Sequence, residues 1–171
     1  MSDDSSRLYT THAGLRRLEE RVAASRQAYL TVCASNGEAA GAGDSSVWHD
    51  NFAYEENQRQ MHQLARRVTE LEAQLCRMRI VPAAHVAPAR VRVGCCVLLT
   101  FLDDDSTRGF FIAGYGDGDP GSGRLSYSTP LARAVLGAEE GDERTLSHGG
   151  RQRRVEISGI SPAPVEELAA S

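Results

Sequence analysis

Apolar positions in this chain recur first at helical spacing and then, beyond about residue 80, at strand spacing. Tyr54, Asn57, Met61, Leu64, Val68, Leu71, Leu75 and Met78 step by 3,4,3,4,3,4,3, the a/d seam of a coiled coil. Leu8, Thr11, Leu15, Leu18, Val22, Ser25, Tyr29 and Val32 keep the same stepping, with Thr11 and Ser25 diluting the stripe. Each seam covers 25 residues, and the connector between them contains Gly37, Gly41 and Gly43. Equal seams around a glycine-bearing connector predict two antiparallel helices folded on each other, an arm about 40 Å long. A parallel two-chain coiled coil is the rival reading. It needs an unbroken helix through the connector, which the glycines oppose.

Past the second seam the pattern changes. Val81-Pro82 and Ala87-Pro88 end the helix, because proline disfavours helix at its own position and at the one before. Val91 to Phe101 reads as strand broken by a turn, Asp103-Asp104-Asp105-Ser106 as a hairpin turn, and Gly109 to Ala113 as the returning strand. Asp117 to Gly123 is a loop, Leu125 to Ser128 a short strand, and Pro130 to Leu136 a brief helix stopped by Gly137. Thr145 to Ser147 and Arg154 to Ser158 complete a small, mostly antiparallel sheet. The predicted fold class is α+β. A coiled-coil hairpin occupies 1–80, with its tip near 37–53. A linker follows over 81–90, a β-rich domain over 91–161, and a tail over 162–171 that is expected to fray.

Charge sharpens the tip. The 171-residue chain carries a formal charge of −4, and all its basic residues are arginine. We read the missing lysine as coding bias. The acidic balance excludes a general phosphate-backbone binder. From Gln27 to Gln58 there is no Lys or Arg, while Glu38, Asp44, Asp50, Glu55 and Glu56 fall in that window. The stretch Gly43 to Tyr54 adds the only Trp, Trp48, and His49. An acidic tip suits a divalent cation or a basic surface. Cys33, Cys76, Cys95 and Cys96 lack ligand or redox spacing, and Cys95-Cys96 read as small buried apolar residues. An acidic start, Met1-Ser2-Asp3-Asp4, is unlike a signal peptide, and no apolar run approaches the roughly 20 residues of a membrane span. A soluble, cytoplasmic monomer is expected.

With this layout, the residues resemble the bacterial Gre transcript-cleavage and elongation factor family along nearly the whole chain. Asp50-Asn51, Tyr54 and the run Arg67-Val68-Thr69-Glu70-Leu71-Glu72-Ala73-Gln74-Leu75 resemble that family's acidic-Asn, Tyr and Arg-Ile-x-x-Leu-Glu-x-x-Leu pattern. Ser128-Thr129-Pro130-Leu131-Ala132-Arg133-Ala134-Val135-Leu136-Gly137, with Gly141-Asp142 behind it, is similar to the family's Ser-Pro run and its Gly-Asp. This second match is the more specific. The resemblance implies a C-terminal domain of FKBP-like fold that docks at the secondary channel of RNA polymerase, with Ser128, Thr129 and Pro130 in the docking loop. The hairpin would reach down that channel, where tip carboxylates help hold a second Mg²⁺ and the polymerase's own centre cleaves backtracked RNA. No cofactor is implied for the free protein; Mg²⁺ enters only in complex with RNA polymerase. The protein itself is expected to be no enzyme and to have no independent sequence-specific nucleic-acid binding.

The tip departs from the family pattern, which places an Asp three residues before the acidic-Asn pair. Here that residue is Val47, and Asp44 lies six before Asp50. Only one carboxylate falls in register, and Mg²⁺ sheds water reluctantly for so few ligands. Extra loop length costs little closure entropy, so Asp44 can return toward Asp50. The expectation is a channel-binding factor with cleavage stimulation reduced or lost; the alternative is a fully active cleavage factor. Asn51, Trp48 and Tyr54 are assigned as support for the tip; Trp48 and Phe52 are read either as closing the hairpin end by packing on each other or as a polymerase contact. Two other functions are weighed: a peptidyl-prolyl isomerase, short of aromatic residues for its pocket, and a coiled-coil adaptor. Asp103-Asp104-Asp105 reads as a solvated turn rather than a calcium loop, and Arg151, Arg153 and Arg154 as an exposed strand edge.

Overall fold

The computed structural model describes residues 7–41, 50–148 and 151–169, with backbone alone at 36–41, 50–53, 148 and 151. The chain divides into two compact units. One, the arm, is Leu18–Cys76; the other, the body, joins the residues up to Arg17 to those from Arg77 onward.

The arm is built from helix α1 (His12–Gly41), from Leu18 onward, and helix α2 (Asp50–Arg77), up to Cys76. The heptad positions are the protected ones. Leu18, Val22 and Leu71 are buried and Leu64, Val68 and Leu75 half-buried, while Glu19, Glu20, Arg66, Arg67 and Glu70 are exposed. Arg26 on α1 pairs with Glu72 on α2 at 2.6 Å, which fixes the sense of the pair. Gly41 lies about 22 Å beyond Arg26 and Asp50 about 33 Å before Glu72 along their helices. A parallel pair would put those ends about 55 Å apart, beyond the roughly 32 Å that the connection can span. The helices are therefore antiparallel. They extend further toward the tip than the glycines predict: α1 runs through Gly37 to Gly41 and α2 begins at Asp50. A helical glycine costs only about 1 kcal/mol, and Glu38-Ala39-Ala40 are good helix formers.

At their other ends the seams leave helix. Leu8 lies in strand β1 (Leu8–Thr10) and Met78 in strand β2 (Met78–Ile80), paired in parallel with Leu8 opposite Met78. Thr11 caps α1, its hydroxyl accepting the Gly14 N–H at 3.1 Å. Tyr54, the outermost position of the second seam, is exposed, and its hydroxyl takes the Gln58 amide at 2.9 Å.

The body carries a five-stranded sheet of order β5-β4-β3-β7-β6. Its strands are β3 (Cys96–Phe101), β4 (Ser106–Ala113), β5 (Arg124–Ser126), β6 (Glu143–His148) and β7 (Arg151–Ser161). Pairings are antiparallel except β4 with β5. Alternation sorts the two faces. Val97, Leu99, Phe101, Ile112, Val155 and Ile157 point into the main core, which α3 (Pro130–Val135) joins through Val135. Gly137, at φ +78°, stops that helix in a left-handed conformation natural to glycine.

Phe111 and Ala113 face the other side, where Ala163 and Leu168 pack on them. That packing corrects two expectations. Over its described residues, up to 169, the tail is no frayed end: it turns into a short helix α4 (Val165–Leu168), with Glu167 buried at 2% exposure. The segment 81–90 is no free linker either, since Ala83 and Ala84 are buried and Ala84 bonds both Gly94 and Ala163 through the backbone. The boundary expected at residue 80 falls instead at 17/18 and 76/77.

Candidate functional site

Two places carry the residues singled out from sequence. At the tip, Asp44, Val47 and Trp48 lie outside the described residues, and Asp50 and Asn51 open α2 with backbone alone described. How near Asp44 comes to Asp50 is likewise outside the described residues. Among the described residues, no group of three or more His, Cys, Asp or Glu is placed to hold a metal ion.

The segment Ser128-Thr129-Pro130 is fully described, and its order comes from short-range hydrogen bonds. The Thr129 hydroxyl caps α3 from the Ala132 N–H at 3.4 Å and donates to the Ser126 carbonyl at 2.8 Å. Pro130 occupies the first helical turn, where its missing N–H costs nothing. Ser126 is buried. Its hydroxyl accepts the Gly116 N–H at 3.3 Å and meets the Ser128 hydroxyl at 3.0 Å. Ser128 and Pro130 are exposed, whereas Thr129 is half-buried. The motif thus divides by job: Ala132 and Val135 fill the core, Thr129 holds the turn, and Ser128 and Pro130 are available to a partner. Gly141-Asp142 is structural. Gly141 sits at φ +87°, and the Asp142 carboxylate accepts the Glu139 N–H at 3.0 Å and pairs with Arg144 at 2.8 Å. The Glu139 N–H, followed by the nearby Arg144, holds the Asp142 carboxyl below its ordinary range.

Sequence reasoning missed two clusters behind this loop. Tyr9, Tyr115 and Tyr127 converge, with ring centroids 6.3 Å apart for Tyr9–Tyr127 and 6.3 Å for Tyr115–Tyr127. Nearby, Arg17 forks onto Asp117 at 2.7 and 2.6 Å and donates to Glu167 at 2.7 Å. The second Glu167 oxygen accepts the Thr11 hydroxyl at 2.9 Å. The hydrogen bonds to Asp117 are the first cause that raises the Arg17 pKa above an ordinary guanidinium. Partners 100 and 150 residues away from Arg17 had no local signal.

The charged runs on the sheet neutralise each other. Arg153 pairs with Asp103 at 2.9 Å and Asp104 at 3.1 Å and lies 4.6 Å over the Phe101 ring. The acidic turn is exposed to solvent as expected, with Asp103 and Asp104 also paired to Arg153. Cys95 is buried and Cys96 half-buried, and burial pushes both thiols up in pKa.

The family model described as transcription elongation factor GreA/GreB, C-terminal, matches residues 86–162. Transcription elongation factor GreA of Hyphomonas neptunium is 28% identical over 127 residues, 74% of this chain and 79% of that protein. The GreA of Nautilia profundicola is 32% identical over 111 residues, 65% of this chain and 68% of its own length. Among solved structures, the GreA factor homolog Gfh1 of Thermus thermophilus has a TM-score of 0.41 and 18% identity over 90% of this chain and 98% of that one. The chain belongs to the Gre family of transcription elongation factors. Gre factors are not themselves enzymes but stimulate the RNA cleavage intrinsic to RNA polymerase, and this chain shares that non-catalytic character.

Proposed function

We propose that this protein binds RNA polymerase at its secondary channel and modulates elongation from there. The body docks through Ser128 and Pro130, with Thr129 holding their turn, and the α1–α2 hairpin carries Asp50 and Asp44 toward the catalytic centre. The observation that carries the reading is the ordered loop, whose exposed residues are the two that the family motif leaves free of core duty. Mg²⁺ at that centre belongs to the polymerase and supplies the activated water; this chain adds one carboxylate in register, Asp50, with Val47 where a second belongs. Cleavage stimulation is accordingly reduced or lost, and channel occupation itself slows transcription. The acidic tip weighs against independent nucleic-acid binding.

An isomerase reading finds no support: Phe101 and Phe111 are buried and Phe110 packs against the core, so these rings are not free to line a pocket. The deciding experiment adds the protein to backtracked complexes of its own polymerase and follows RNA cleavage and elongation together. Slowed elongation with little cleavage is expected. Cleavage at the rate of an ordinary Gre factor would show Asp44 completing the site and overturn the reduced-activity assignment.

A further inference from the structure

We propose that Tyr127 is a positioning residue for the docking loop, acting through its hydroxyl on the strand at the start of the chain; the inference rests on the reading of Ser128-Thr129-Pro130 as the polymerase contact. Tyr127 is the residue immediately before that triplet. Its backbone N–H is tied to the Ala113 carbonyl at 3.0 Å, which fixes its height on the sheet edge. Its side chain does something else: the hydroxyl accepts the Tyr9 N–H at 3.3 Å, across 118 residues of sequence. The Tyr9 carbonyl in turn accepts the Tyr115 N–H at 2.9 Å. Both backbone polar groups of Tyr9 are thus committed to the segments that flank the loop. The rings close the circuit. Tyr127 meets Tyr9 edge-on at 60° and is tilted 56° against Tyr115, geometries that aromatic pairs favour.

Glycine makes the approach possible. A Cβ on Gly114 would collide with the backbone and side chain of Thr10, so only glycine lets β1 lie this close. Ser126, one residue before Tyr127, is buried and bonded to Ser128. The exposed pair Ser128 and Pro130 therefore inherits its position from β1 through Tyr127, and from α3 through Thr129. A loop held from both sides meets a partner without first being ordered, which favours affinity. Tyr127→Phe keeps the ring contacts and removes only the hydroxyl, leaving the Tyr9 N–H without this acceptor.

The test compares wild type, Tyr127→Phe and the double variant Ser128→Ala/Pro130→Ala. Affinity for RNA polymerase is measured by fluorescence anisotropy, with amide exchange and thermal melting of each free protein. Tyr127→Phe is expected to weaken binding about three- to tenfold, the range set by one net hydrogen bond. It should also speed exchange at Ser128 and Thr129, with melting and exchange in β3 and β7 unchanged. Wild-type affinity in Tyr127→Phe alongside lost binding in the double variant overturns the inference and spares the docking loop. Faster exchange throughout the sheet with lowered melting also overturns it, by showing a purely structural role. Failure of the wild type to bind polymerase, or full binding by the double variant, removes the docking reading and the inference with it.

Discussion

Removing the guanidinium of Arg17 would leave Glu167, 2% exposed, with a buried charge that among the described residues keeps the Thr11 hydroxyl as its side-chain partner. Breaking a buried pair from one side is costly because the survivor stays desolvated. Arg17→Ala is expected to destabilise the body by about 3 kcal/mol, read from urea unfolding. Arg17→Lys should recover only part of that loss, since an ammonium cannot reproduce the two-pronged contact with Asp117. Nothing in the local sequence announced this cluster. Arg17 sits in a run of arginines and glutamates that reads as a solvated helix face, and its partners lie 100 and 150 residues away. The acidic tip is a different case: Asp50, Asn51 and Val47 were singled out through resemblance to a family motif, a pattern in sequence, and Val47 lies outside the described residues.

The helical seams were readable because a 3,4 repeat can bury a face only if two helices meet along it. Leu71 is the most buried position of the second seam, at 1% exposure. Leu71→Ala should lower the stability of the arm by about 2–5 kcal/mol, measured as loss of helical ellipticity on heating. The same truncation at exposed Leu30, off the seam, should change it little. Periodicity overran its domain at Leu8 and Met78, which satisfy the stepping yet pair as strands. A three-residue strand offers too little alternation to compete with eight positions of helical repeat. The tail was misread for a related reason. Val165–Leu168 is a single turn of helix, and only the uncovered side of the sheet at Phe111 and Ala113 makes it worth forming. Proline, glycine and strand alternation did locate most of the body's other elements, including Gly137 as the end of α3.

The body as a whole should weaken in acid. Hydrogen bonds hold the carboxyls of Asp104, Asp119 and Asp142 below their ordinary range: from Ser106 to Asp104, from Ser122 and Gly121 to Asp119, and from the Glu139 N–H to Asp142. Each binds a proton less readily folded than unfolded, so the unfolded chain takes up more protons as pH falls. The stabilisation is complete at neutral pH, begins to fade near the usual carboxylate value of about 4, and is gone below the folded values. Melting midpoints taken from pH 7 down to pH 2 should drop through that window, and Asp142→Asn should show a shallower drop.

The arm is an excursion out of a body whose two parts flank it in the chain, and that arrangement sets an order of events during synthesis. Arg17 leaves the ribosome 150 residues ahead of Glu167, an interval of roughly eight to thirty seconds at ordinary elongation rates. Over that interval α1 and α2 can already zip together from their short connection, because their contacts are near neighbours in sequence. The sheet must wait for β7 (Arg151–Ser161), which joins β3 to β6, and the clasp on Arg17 closes last, when the final turn of the described chain arrives. The arm can be complete before the body whose sequence it interrupts.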